Sequence, residues 1–279
     1  MADLKTIFHK LKQLLDARLP EQEREAISFL ILEHFGYSPM EVHKDGMSEI
    51  PSYLLEQIIE RVNRQEPIQY ILGQAWFYGR NFTVRPGVLI PRPETELLID
   101  LAKKAFPKEQ SIDVLDLGTG SGCIPVTLAA ECPKWNVTAT DISSVALEVA
   151  KENAARHQIN VTFMRTDMLK ESPEGTYHLI TSNPPYIPYS NRERLQPQVV
   201  EYEPHEALFS PDEDPLIFYR VIANHTNKLL QPGGRLIVEI QDKTGGQIRK
   251  IFEQAGLGEI EVIPDMDNKE RFVQAIKPA

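Results

Sequence analysis

Residues 113–122 read Asp113-Val114-Leu115-Asp116-Leu117-Gly118-Thr119-Gly120-Ser121-Gly122, an apolar strand running directly into a glycine loop. The apolar stretch 123–130 that follows reads as a helix. Strand, tight turn and helix in immediate succession are the start of an α/β unit. Glycine lets the backbone turn sharply and lets a ligand approach without a Cβ in the way. Taken alone, the loop is a weak signal, because tight strand-to-helix turns also use glycine.

The segments around it settle the fold class. Strand candidates occur at 112–117, 137–140, 161–165, 178–182, 235–240, 260–263 and 272–276, with helical stretches such as 144–157 and 216–230 between them. Such alternation predicts an open, mostly parallel seven-stranded α/β sheet covered by helices on both faces. Ligands bind such sheets beyond the carboxyl ends of the strands, at the switch point. The N-terminal part differs. Ile7, Leu11, Leu14 and Leu15 recur on one helical face, as do Ile27, Leu30 and Ile31, and then Leu54, Leu55, Ile58, Ile59 and Val62. Ser38-Pro39-Met40-Glu41 has the form of a capping box with proline at the first helical position. Trp76, Phe77, Tyr78 and Phe82 lie between Gly73, Gly79 and Gly87, which predicts a short hairpin. The expected organisation is a helical docking domain over 1–72, a β-hairpin connector over 73–88 and an α/β domain over 89–279.

The chain of 279 residues carries a formal net charge of −10. That disfavours nucleic acid, where affinity comes largely from Lys and Arg on phosphates. No apolar run approaches the roughly 20 residues of a membrane span, and the first residues do not read as a signal peptide. Cys123 and Cys132 are too few for a disulfide scaffold and have no neighbours at metal spacing. A cytoplasmic location is expected, with no metal, no membrane and no direct nucleic-acid partner.

Asp141 ends the second strand roughly 20 residues beyond the loop, where α/β nucleotide sites place an acid to accept ribose hydroxyls. The glycine pattern is G-x-G-x-G rather than the dinucleotide G-x-G-x-x-G, and Asp116 suits a ligand with a cationic amino-acid end. Together these features resemble an S-adenosylmethionine site more than an NAD site. Asp167 and Met168 end the third strand. By analogy, Asp167 accepts from the adenine amine and Met168 packs on the ring; a surface-loop Asp is the alternative. Cys123 reads as core, with no base placed to activate it.

Asn183-Pro184-Pro185-Tyr186 follows the fourth strand, across the switch point from the loop. A conjugated nitrogen is a poor nucleophile because its lone pair is delocalised. The Asn183 side-chain carbonyl and the Pro184 backbone carbonyl can accept its two N–H bonds and hold it in line with a methyl donor. The prolines stiffen the acceptors, and the Tyr186 ring suits stacking on a planar group.

These segments resemble the release factor glutamine methyltransferase family (HemK type). The similarity runs through Pro67-Ile68-Gln69-Tyr70-Ile71-Leu72-Gly73 with Phe77, and Pro86-Gly87-Val88-Leu89-Ile90-Pro91-Arg92-Pro93-Glu94-Thr95-Glu96. It continues at Glu203-Pro204-His205-Glu206-Ala207-Leu208 and Gly233-Gly234-Arg235-Leu236-Ile237-Val238-Glu239-Ile240. Departures are Ser210-Pro211-Asp212-Glu213-Asp214-Pro215, where the family often has glycines, and Gln241, where glycine is common. The resemblance implies a small helical domain followed by a class I, Rossmann-like methyltransferase domain. It implies methylation of the glutamine amide in the Gly-Gly-Gln motif of class I peptide-chain release factors, in translation termination. Gly118, Thr119, Gly120, Ser121, Gly122, Asp141, Met168 and Asn183 would touch S-adenosyl-L-methionine, and residues 183–186 would hold the glutamine. Because adenine-amine methyltransferases of DNA or RNA use a similar tetrad, they are the alternative.

Overall fold

In a computed structural model, the structure describes residues 4–17, 19–37 and 50–279. The expected capping box at residues 38–41 lies outside them. The chain forms two compact units, one of Met1–Gln74 with Gln196–Tyr202 and one of Ala75–Leu195 with Glu203–Ala279. Among the described residues, no helix is long and apolar enough to cross a membrane.

The first unit is helical, with Leu4–Leu14, Glu21–His34, Ser52–Asn63 and Ile68–Leu72. Three of these helices begin directly after Pro20, Pro51 and Pro67. Proline presets its own φ and disfavours helix in the residue before it, so the start is sharp. Gly73, left-handed at φ 70°, ends the last helix. Phe8, Leu11, Leu15, Ile27, Ile31, Leu32, Ile59 and Val62 make the core. Leu14, expected on the buried face, is 44% exposed, and Phe8 is buried instead. The unit also takes the helix Pro197–Tyr202, whose Tyr202 hydroxyl donates to the Arg64 carbonyl at 3.0 Å.

The second unit carries the sheet, whose strands we number β1 (Ile112–Leu117), β2 (Trp135–Asp141), β3 (Thr162–Arg165), β4 (Tyr177–Ser182), β5 (Leu230–Glu239), β6 (Gly258–Pro264) and β7 (Glu270–Ile276). Their order is β6-β7-β5-β4-β1-β2-β3. Neighbours are parallel except around β7, which runs antiparallel to both β5 and β6. This is the expected class I methyltransferase sheet. From β1 the chain winds outward to β2 and β3, then returns to β4 on the other side of β1. The switch point therefore falls between β1 and β4. Leu117 is level with Thr140 on one side and Ser182 on the other. The glycine loop, Asp141 and Asn183 consequently leave the sheet at the same edge.

Side chains alternate between two cores. Ile112, Val114, Leu179, Ile237 and Phe272 face one, beneath helices Glu96–Ala105 and Cys123–Glu131. Leu115, Leu117, Ile180, Leu236 and Val238 face the other, with helices Ile217–Leu229 and Gly245–Gln254. The hairpin Gln74–Phe77 and Arg80–Thr83 turns through Tyr78 at φ 48° and Gly79 at φ 70°. Both positive φ values match the twist of a two-residue turn. Phe77 and Phe82 are buried in the first of these cores, so the hairpin packs into this unit.

Candidate active site

A cavity of about 340 Å³ opens at the carboxyl edge of β1 to β4. Its wall takes Gly118 to Ser121 from the glycine loop, Asp141 to Ser143 after β2, Thr166 to Leu169 after β3, and Asn183 and Pro185 after β4. Segments within 87–95 and 204–211, with Cys123, Ile124, Ala146 and Phe218, complete it.

The loop is held from below. Gly118 and Thr119 both donate their backbone N–H to the Thr140 carbonyl at 2.9 Å. Gly118, Gly120 and Gly122 all have positive φ. At Gly120 the space a Cβ would occupy is open. Gly122 is different. A Cβ there would come within 2.9 Å of Ala150 on helix Ser144–Arg156. It is a packing glycine that lies off the cavity wall, although the pattern alone makes it look like its two neighbours.

Asp141 accepts from Gly120 N at 2.8 Å and from Ser143 N at 2.9 Å. Burial pushes its carboxyl above the usual range, and the two N–H groups oppose that shift. Asp116 lies beneath the loop, fully buried and off the cavity wall. Thr181 donates to its Oδ1 at 2.7 Å. Burial pushes its carboxyl up to about 6 despite that bond. Asp116 Oδ2, Thr119 Oγ1 and Ser121 Oγ are buried close by.

Met168 lines the cavity and sits over Gly118, its Cε 3.4 Å from where a Cβ would be. Ile142 and Leu169 are 48% and 42% exposed, yet both line the cavity. Asp167 is on the wall as well, but its carboxylate pairs with Lys170 at 2.8 Å and accepts from Leu169 N at 3.1 Å. Lys170 holds it below the usual carboxylate range. Burial pushes the Cys123 thiol up to about 12, which removes it as a nucleophile.

Of the tetrad, Asn183 and Pro185 reach the cavity, while Pro184 is buried. Tyr186 turns its hydroxyl to Glu239 Oε1 at 3.1 Å and does not line the cavity. The Asn183 amide nitrogen donates to Thr95 Oγ1 at 3.3 Å, and the Thr95 hydroxyl donates to Glu239 Oε2 at 2.6 Å. A second carboxylate, Glu203, is buried and accepts from Ile90 N at 3.2 Å and from Arg92 at 2.5 Å, tying together two segments that roof the cavity.

Thr95, Glu203 and Glu239 carry no assigned role in the sequence reading. One signal exists for Glu239. Asp116, Thr181 and Glu239 are the last positions on one face of β1, β4 and β5, and all are fully buried. Asp116 and Thr181 break otherwise apolar period-2 faces at the site edge, and Glu239 follows buried Ile237 on the same face, where a buried polar side chain has a cost unless it is used.

Comparison with known proteins decides between enzymes that share this architecture. The family described as Methyltransferase small domain matches residues 93–201. A release factor glutamine methyltransferase of Bacteroides thetaiotaomicron is 42% identical over 271 residues, covering 95% of this chain and 97% of that protein. One of Flavobacterium psychrophilum is 34% identical, covering 94% and 95%.

This chain belongs to the release factor glutamine methyltransferase family.

A solved methyltransferase from Pyrococcus furiosus, 21% identical with a TM-score of 0.55, covers 73% of this chain and 91% of that one and shares the fold. The cofactor of the release factor glutamine methyltransferase family is S-adenosylmethionine, and the cavity fits it. Open space stands above Gly120, Asp141 lies on the wall, and apolar Met168, Ile142 and Leu169 form a wall for a flat ring.

Proposed function

We propose that this chain methylates the side-chain amide nitrogen of the glutamine in the Gly-Gly-Gln motif of class I peptide-chain release factors. The placement of Asn183 supports this most directly. It stands on the wall shared with the glycine loop, and its nitrogen is engaged by Thr95. Its oxygen is therefore left for a donor on the substrate.

Bound S-adenosylmethionine supplies an activated methyl group. Gly118 to Gly122, Asp141, Asp167 and Met168 would hold it, with Asp141 offering its remaining lone pairs to the ribose hydroxyls. Gly122 would contribute by shaping the turn. Asn183 also borders this space. The rest of the chemistry is positioning. An amide nitrogen is a poor nucleophile because its lone pair is delocalised, the same resonance that gives a peptide bond a rotation barrier of about 18–20 kcal/mol. The Asn183 and Pro184 carbonyls accept its two N–H bonds, fix its direction and favour the charge that develops on it. Pro184 and Pro185 stiffen these acceptors, and Tyr186 anchors the tetrad from behind through Glu239. The methylated nitrogen, now cationic, is acidic enough to release its proton, to water or to a neighbouring group.

Among its described residues the helical unit holds no cluster of metal-ligating side chains, and the unit suits docking of the protein substrate. A substrate that works on the ribosome places the enzyme in the cytoplasm. Nucleic acid and membrane have no part in this reading. The test offers purified protein and labelled S-adenosylmethionine a release factor, duplex DNA and RNA in turn. Label is expected in the release factor alone. Efficient transfer to DNA or RNA with none to the factor would overturn the proposal.

A further inference from the structure

We infer that Thr95 and Glu239 are positioning residues that lock the Asn183 side-chain amide with its oxygen toward the substrate. The inference rests on the reading that Asn183 accepts from the reacting nitrogen.

An asparagine amide has a donor end and an acceptor end of nearly equal shape, and rotation by half a turn exchanges them. Only one orientation can accept a substrate N–H. The other sets donor against donor. Something must choose, and the choice can be traced back through the network. Glu239 is fully buried at the end of β5. Its Oε2 accepts from the Thr95 hydroxyl at 2.6 Å and its Oε1 accepts from the Tyr186 hydroxyl at 3.1 Å. Both of its oxygens thus act as acceptors. A hydroxyl has one proton, and Thr95 spends it on the carboxylate. Toward Asn183 the Thr95 oxygen has lone pairs only, so it receives the Asn183 nitrogen, at 3.3 Å.

The opposite arrangement would require Thr95 to donate to the Asn183 oxygen and leave Glu239 Oε2 without its donor. Burial raises the Glu239 carboxyl above its ordinary value, opposed by the Thr95 and Tyr186 hydroxyls and by Arg271; in its ionised form, hydrogen bonds to it are roughly twice as strong as neutral ones. The bond to Glu239 therefore wins, and the amide orientation follows from it. Thr95 is held in place by its position directly before helix Glu96–Ala105, whose Leu98, Ile99 and Ala102 are packed in the core. The polarity of a buried carboxylate is passed through one hydroxyl to an amide on the cavity wall.

The experiment compares Thr95→Val, Thr95→Ser, Asn183→Ala and the Thr95→Val/Asn183→Ala double variant of the full chain. It measures kcat and KM for release factor and Kd for S-adenosylmethionine. Thr95→Val should lower kcat by about 5- to 30-fold, the range expected for a lost buried hydrogen bond, with Kd for the cofactor within about threefold. Thr95→Ser keeps the hydroxyl and should recover most of the turnover. Because Thr95 acts only through Asn183, the double variant should be no slower than Asn183→Ala alone. Should the valine variant fail to fold, Thr95→Ala replaces it in the same comparison. Turnover within twofold of the parent in the valine or alanine variant would overturn the inference while Asn183→Ala remains inactive. So would a serine variant as slow as valine, or single losses that multiply in the double variant. If Asn183→Ala itself turns over normally, the reading of the site fails and the inference with it.

Discussion

Asp141 Oδ2 accepts the backbone N–H of Gly120 at 2.8 Å, across the gap between the end of β2 and the glycine loop. Its Oδ1 accepts from Ser143 N at 2.9 Å, so one carboxylate joins the loop to the turn that starts helix Ser144–Arg156. Asp141 also lines the cavity, and a carboxylate oxygen can accept more than one hydrogen bond. Asp141→Ala removes both the acceptor and the tie. The affinity for S-adenosylmethionine should fall about 10- to 150-fold, as expected for charge-assisted hydrogen bonds worth about 1.5–3 kcal/mol. Asp141→Asn keeps one acceptor and should fall between. Calorimetric titration checks both, and an unchanged Kd in the alanine variant would remove Asp141 from the cofactor site.

Asp116 makes a prediction about pH. Its folded-state pKa of about 6 lies above the ordinary 3.8, because burial penalises the charge. The folded protein therefore holds this proton more tightly than the unfolded chain does. The associated stability is fully present below about pH 4 and is lost as the pH rises through about 6. Asp116→Asn carries no such charge. At pH 8 it should be more stable than the parent, by up to roughly 3 kcal/mol, and the difference should vanish by about pH 4. Urea denaturation at both pH values measures it. A difference independent of pH would contradict the buried charge.

Asn153 is fully buried and ties three segments. It accepts from Thr83 N at 2.7 Å and donates to Thr83 O at 3.0 Å and Ser121 O at 2.9 Å. Asn153→Ala leaves those backbone groups without partners, which typically costs about 1–3 kcal/mol for each buried group that water cannot reach. A loss of about 2–4 kcal/mol is expected once some water enters. A loss under about 0.5 kcal/mol by chemical denaturation would show that the three contacts are not stabilising.

The sheet was legible because its strands are short apolar runs ended by turn residues, and because helices of the right length separate them. The parallel order follows from that alternation and from the right-handed crossover rule. The glycine loop, Asp141 and Asn183 were legible because each stands at a strand end, a position that the residues on either side define. What escaped depends on tertiary contact. Gly122 has the same spacing as Gly118 and Gly120, but Ala150, on another helix, determines what its missing side chain is for. Tyr186 suggested stacking, and its hydroxyl instead finds Glu239 far along the chain. Thr95 meets Glu239 across 144 positions, a pairing that no local pattern encodes. Leu14 fits the helical stripe and is still exposed, since the stripe states only where apolar residues recur and not what will cover them.

The central claim is that Asn183 and the tetrad present a glutamine amide to the methyl donor, and that this glutamine belongs to the Gly-Gly-Gln motif. Peptide mass spectrometry of a class I release factor treated with enzyme and S-adenosylmethionine tests it directly, beside a factor whose motif glutamine is replaced by alanine. The account predicts one added methyl on the motif glutamine and none on the altered factor. A methyl on any other residue, or equal labelling of the two factors, would contradict it.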